Sequence, residues 1–193
     1  MSRLLRLLGS WSFSLGLILV PAFTSQAVAD PVRSPIPAQV TQVDGYPFPS
    51  KIAGLARGQK VDYNVPGLGF SVRYEMPGES WADIYIYDLG QDLASEDPRQ
   101  LAAEQRDSAL SDIKAHVSNG TYQEAKVVTK ADTASYAKAH LSITQKNTTR
   151  DSFVFVTVAK KNFVKIRYTT SAKNADRIAE QFASEYVRQL GQR

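Results

Sequence analysis

Trp81, Asp83, Tyr85 and Tyr87 recur at every second position, so an extended strand turns all four side chains to the same side. Aromatic bodies with polar tips beside a carboxylate form a surface that can stack on a ligand and orient it. The same residues also suit the underside of a covering helix, with their hydroxyls bonded locally. The two readings differ in whether a helix lies over this strand. A second group is cationic: Lys146, Arg150, Lys160, Lys161, Lys165 and Arg167 stand against the single acid Asp151. Such a group meets anionic lipid headgroups, a cell-wall polymer or an acidic protein. Alternatively it is charge that keeps sheet edges from pairing with other chains.

Catalytic arrangements are harder to build. No Gly-x-Ser-x-Gly occurs, and the Ser-x-x-Lys matches at Ser111/Lys114 and Ser135/Lys138 lack the companion motifs of that enzyme class. Asp83 and Asp88 lie five apart on one expected strand and so point to opposite faces, which separates them as a carboxylate pair. His116 falls near the end of an expected helix and His140 on the polar side of a strand with Tyr136, Lys138 and Ser142; neither sits in a His-x-x-x-His or Asp-x-Asp spacing. The chain has no cysteine, which removes thiol catalysis, thiolate zinc sites, iron–sulfur clusters and disulfide staples. Pro66-Gly67-Leu68-Gly69 precedes a strand instead of following one, so it reads as a turn and not as a phosphate cradle. The expectation is therefore no catalytic residue, no metal and no cofactor.

The elements that must position these residues begin after a leader. Arg3 and Arg6, the apolar stretch around Leu15 to Val20, and Ala27-Val28-Ala29 form a secretory signal with cleavage near Ala29. Gly9, Ser10, Ser12, Ser14 and Gly16 break the run short of the ~20 apolar residues that a membrane span needs. The expected location is periplasmic or secreted, with no transmembrane segment after cleavage. About 164 residues then remain, enough for one domain with a core. The formal charge of +4 on the whole chain shrinks without Arg3 and Arg6, so the basic balance carries little information about partners. Export and the lack of a base-stacking or groove-reading motif argue against nucleic acid.

Five of the nine prolines fall between Pro31 and Pro49, so residues 30–50 are expected to form a Pro-rich arm, with a single domain over 51–193. Phe70, Val72, Tyr74 and Met76 alternate with Ser71, Arg73 and Glu75; Pro77-Gly78 turns the chain, and Ala82 to Tyr87 alternates again, predicting an antiparallel hairpin. Asp97-Pro98 opens a helix that Asn119-Gly120 closes, with Ala103, Leu110, Ile113 and Val117 on its inner side. Strands follow at 123–129, 136–144, 152–160 and 163–170, with Lys161-Asn162 as the last connection and a short extra strand near Gln59 to Asn64. Ala175 to Leu190 carries a wide apolar stripe. The predicted class is α+β, an antiparallel sheet of about six strands flanked by helices.

That element order resembles the PsbP-like fold, an antiparallel sheet sandwiched by helices. Pro49-x-x-Ile52-x-Gly54-Leu55-x-Arg57-Gly58, Asp62-Tyr63, Pro66-Gly67-Leu68-Gly69 and the run from Ala82 to Gly90 are similar to a family of exported bacterial proteins without an assigned activity. This likeness covers residues 49–90 and brings no catalytic residue with it. With a well-patterned exported fold and no recognisable catalytic constellation, the expected function is a non-enzymatic accessory or assembly domain that binds an envelope protein or an anionic surface. The alternatives are a small-molecule or lipid carrier with a pocket beneath Tyr85 and Tyr87, and third a hydrolase.

Overall fold

Period-two alternation builds most of this protein, in the computed structural model as in the sequence. The structure describes residues 30–191, so the leader and its cleavage point lie outside the described residues. Eleven strands and two helices follow in the order β1 (Val32–Ser34), β2 (Gln42–Val43), β3 (Tyr46–Pro47), β4 (Lys51–Ile52), β5 (Leu55–Asp62), β6 (Phe70–Met76), β7 (Ser80–Tyr87), α1 (Pro98–Ser118), β8 (Glu124–Asp132), β9 (Ala137–Gln145), β10 (Thr148–Ala159), β11 (Asn162–Thr170) and α2 (Ala175–Leu190).

The class is α+β, as predicted, but the main sheet has nine strands and not about six. Its order is β1-β5-β6-β7-β11-β10-β9-β8, with β4 also paired to β5, while β2 and β3 form a separate hairpin. The additional strands come from the chain before Gly69, and β5 includes the short strand expected near Gln59. Two meanders make the sheet. After β5-β6-β7, α1 carries the chain to the far edge, and β8 to β11 then zigzag back until β11 pairs with β7. Every pairing is antiparallel.

Three boundaries differ from the sequence reading. β10 begins at Thr148 and not at Ser152, because Thr148 to Asp151 pair with Gln145 to Ser142 across a two-residue turn at Lys146-Asn147. β8 runs on to Asp132 where a turn was expected from Lys130, because an edge strand exposed on both sides needs no alternation to stay paired. The last hairpin turns at Lys160-Lys161 and not at Lys161-Asn162: Ala159 pairs with Asn162, and both lysines take positive φ, the geometry of a two-residue hairpin turn.

Each face has its own core. On one, Phe70, Val72, Tyr74, Ala82, Ile84, Ile86, Phe155, Ile166 and Tyr168 meet Ala179, Phe182, Ala183 and Tyr186 of α2. On the other, Leu101, Ala102, Ala109, Leu110 and Ile113 of α1 cover Ala139, Leu141, Val154 and Val156. Asp97 caps α1, its carboxylate accepting from the backbone N–H of Arg99 at 2.9 Å.

The Pro-rich stretch is fastened to the domain. Tyr46 and Phe48 are buried, and Phe48 packs against Phe70 and Tyr186. The Arg57 guanidinium donates to the carbonyls of Pro37, Val40 and Phe48, which holds three points of the stretch with one side chain.

Candidate functional site

The alternation of β7 sends Ala82, Ile84 and Ile86 into the α2 core and turns Trp81, Asp83, Tyr85 and Tyr87 to the α1 side. One α-helix is ~10 Å wide and strands lie ~4.8 Å apart, so a single helix covers only two or three strands. Since α1 packs on β8, β9 and β10, it leaves much of the remaining face bare. The four residues accordingly divide. Tyr87 is buried at the margin of α1, where its hydroxyl accepts from Gln105 Nε2 at 2.9 Å; burial pushes the phenol up to about 12. Trp81, Asp83 and Tyr85 are half-buried.

Around these three, the sheet assembles charge. The Arg73 guanidinium donates through Nε and Nη2 to the two carboxylate oxygens of Asp83, at 2.8 and 2.9 Å. This contact lies across the β6–β7 pair, where Arg73 is the direct partner of Asp83. From the other side, β11 places Arg167 opposite Asp83 and Lys165 opposite Tyr85. Arg167 also donates to the Tyr122 hydroxyl at 3.1 Å, with its guanidinium carbon 5.7 Å from the Tyr122 ring centroid. Arg150, from the start of β10, stands 5.6 Å from the Trp81 ring centroid. Contact with an aromatic ring attracts a guanidinium and limits its conformational freedom without cancelling its charge. Among the described residues, neither Arg150 nor Arg167 has a carboxylate within 4.0 Å.

These side chains line a trough formed by two adjoining cavities of about 380 and 230 Å³, which share Arg73, Asp83 and Tyr85. It runs from Pro31 and Arg33 at one edge to Thr148 and Arg150 at the other. Arg33, Arg73, Arg150 and Arg167 line it against Glu75 and Asp83, so its balance is positive. Such a surface is suited to binding anionic groups.

Of the six basic residues singled out in the sequence, the structure brings Arg150, Lys165 and Arg167 to the aromatic face. Lys146 lies in the turn before β10, whereas Lys160 and Lys161 form the turn after it; the twelve-residue strand between them spans ~40 Å. Lys160 Nζ donates to the carbonyl of Gly45 at 2.5 Å, so it is engaged with the β2–β3 hairpin. Sequence reasoning missed Arg73, Tyr63 and Tyr122. Arg73 was accessible from the hairpin register that makes it the partner of Asp83. Tyr63 stacks on Tyr85 at 6.3 Å and Tyr122 lies in the connection after α1, and neither carries a local signal.

The other candidates are dispersed. His140 Nε2 lies 2.7 Å from Asp151 and its ring stacks on Phe153 at 4.4 Å, on the α2 side of the sheet; His116 meets Tyr122 edge-on. Ser111 and Lys114 are exposed on α1, and Asp88 closes a turn by accepting from the N–H of Gly90. Among the described residues, no group of three or more His, Asp or Glu is placed to hold a metal ion, and no helix is long and apolar enough to cross a membrane. Two further cavities, about 660 and 700 Å³, flank the loop at 133–136, lined by small residues together with Arg99, Asp132, Tyr136 and Arg188.

No protein-family model matches this chain, and no curated protein matches it. Among solved structures, it is similar to the solution structure of the cyanobacterial PsbP protein (CyanoP) from Synechocystis, with 14% identity over 70% of this chain and 91% of that one, at a TM-score of 0.45.

Proposed function

We propose that this protein is a non-enzymatic binding domain of the cell envelope, exported by its first 29 residues, which holds an acidic protein segment in the trough across β6, β7, β11 and β10. The observation that carries this reading is the pair Arg150 and Arg167: each lies beside an aromatic ring, and among the described residues neither has a carboxylate within 4.0 Å. Two oriented guanidinium groups at one end of a trough complement carboxylates in a bidentate manner, and less flexibility is lost on binding than from free side chains. An acidic peptide suits the site better than a membrane surface does. Trp81 and Tyr122 lie against the guanidinium groups, where they support them, instead of projecting to insert among lipids.

Calorimetric titration of the purified protein with a hexaglutamate peptide tests this. Saturable binding is expected at low salt, weakened about tenfold by each of Arg150→Ala and Arg167→Ala and largely lost at high ionic strength. Equal binding by wild type and the double variant would refute the trough as the site.

A further inference from the structure

The sequence motifs Pro66-Gly67-Leu68-Gly69 and Asp88-Leu89-Gly90 play no part in the trough, yet the structure locks them together. The N–H of Leu89 donates to the Gly67 carbonyl at 2.8 Å. A Cβ on Gly67 would stand 2.6 Å from the Gly90 nitrogen, so the two turns touch backbone to backbone. Their contact holds Leu68 and Leu89 side by side at the surface, 42% and 40% exposed. Leu89 itself takes a positive φ of 56°, a conformation that a leucine adopts only when its surroundings impose it.

These leucines form the rim of a cavity of about 230 Å³, the space of about eight waters. Lys165 extends into its wall. The Lys165 Nζ stands 4.6 Å from the Tyr85 ring centroid and 5.3 Å from that of Tyr87, and among the described residues no carboxylate approaches it within 4.0 Å. Burial pushes its amine below the ordinary lysine range; Asp112, on the same wall, acts in the opposite direction, and Arg167 adds to the depression. Lys165 is half-buried, so its ammonium, drawn partly out of water at a cavity with an apolar rim, has room for a counter-ion that the chain does not supply at contact distance.

We propose that this cavity is a ligand site for a small organic acid with an apolar body, the carboxylate meeting Lys165 Nζ and the body resting on Leu68, Leu89 and the tyrosine rings. The site adjoins the arginine trough, with Tyr63 and Tyr85 in common, but Lys165, Leu68 and Leu89 do not line the trough. Binding supplies a counter-ion to the lysine, so it raises the affinity of the amine for its proton. The groups facing the amine are Tyr85 and Tyr87 from β7, Tyr63 beyond β5, Asp112 and Gln105 from α1, and Arg167 on its own strand.

The test is calorimetric titration of the whole protein with octanoate and with benzoate, using octanol and benzamide as neutral controls. Saturable binding of the acids but not of the controls is expected, with an affinity that falls as pH rises towards 10.5 and the amine loses its proton. Lys165→Met should weaken binding at least about tenfold, Asp112→Asn should strengthen it by removing a like charge, and the Arg150→Ala/Arg167→Ala double variant should bind as the wild type does. The proposal is overturned if the folded protein binds neither acid, if Lys165→Met binds them equally, or if the arginine variant loses them, which would assign the acids to the trough. Where Lys165→Met does not fold, the pH dependence of the wild type decides: the carboxylates stay ionised as pH rises towards 10.5 while the amine loses its proton, so an affinity that does not fall over that range means that the lysine is not the anchor.

Discussion

The backbone carbonyl of Ile86 occupies the space that a side chain at Gly69 would need: a Cβ there would lie 2.0 Å from that oxygen. Gly69 also has a φ of 56° and accepts from the N–H of Tyr63. Both constraints are backbone against backbone, so no rotamer relieves them. Gly69→Ala is expected to destabilise the protein by about 2–4 kcal/mol. Urea denaturation of wild type and variant measures this, and a change within experimental error would show that the loop is not held as described.

Arg57 is the fastening of the Pro-rich stretch, since its guanidinium meets three carbonyls between Pro37 and Phe48. Arg57→Ala should leave those carbonyls without a donor, cost about 2–3 kcal/mol and open residues 37–48 to protease before the rest of the domain. Arg57→Lys should rescue little, because an ammonium lacks the planar fork that reaches all three. Limited proteolysis followed by mass spectrometry reads the order of cleavage; cleavage beginning elsewhere in both variants would count against this role.

Asp83 competes with any anionic ligand of the trough by holding Arg73 in a two-point contact. Asp83→Asn removes that negative charge and keeps one acceptor for Arg73. It is expected to tighten binding of hexaglutamate by about three- to tenfold, opposite in sign to the effect of Arg150→Ala. The same titration checks it, and weaker binding by Asp83→Asn would place the carboxylate on the side of the ligand.

Lys165 gives stability a pH dependence whose sign can be stated. Its folded-state amine is depressed below 10.5, so between that lowered value and 10.5 the unfolded chain binds more protons than the folded one. Stability from this group therefore rises with pH across the window, and below it the full penalty of burying the ammonium is present. Lys165→Met removes the penalty, so its melting temperature should exceed that of wild type near neutral pH, with the advantage shrinking towards pH 10.5. Tyr87, raised to about 12, acts oppositely above pH 10 in both proteins, and cancels in the comparison. Thermal melts of both proteins at several pH values check this; a constant offset would mean that Lys165 is not desolvated.

The hairpin of β6 and β7, the capped helix from Asp97-Pro98, the late strands and the apolar stripe of α2 were all readable from the sequence, because each is encoded within a short window. Alternation at period two or recurrence at 3.6, with Pro, Gly or a capping carboxylate at the ends, needs no knowledge of distant residues. The same local rule showed that Trp81, Asp83, Tyr85 and Tyr87 share a side. It was silent on β8 beyond Thr129, where exposure on both sides erases the alternation. What lies over the aromatic side was decided by tertiary structure. The α1 crossover puts β8 at the far edge, so the returning strands bring β11, about 80 residues away in sequence, against β7. That pairing sets Lys165 beside Tyr85 and Arg167 beside Asp83, and it separates both from Lys146, Lys160 and Lys161. Strand order depends on how two apolar faces are best buried at once, a property of the whole chain, whereas each strand's own pattern depends only on its neighbours.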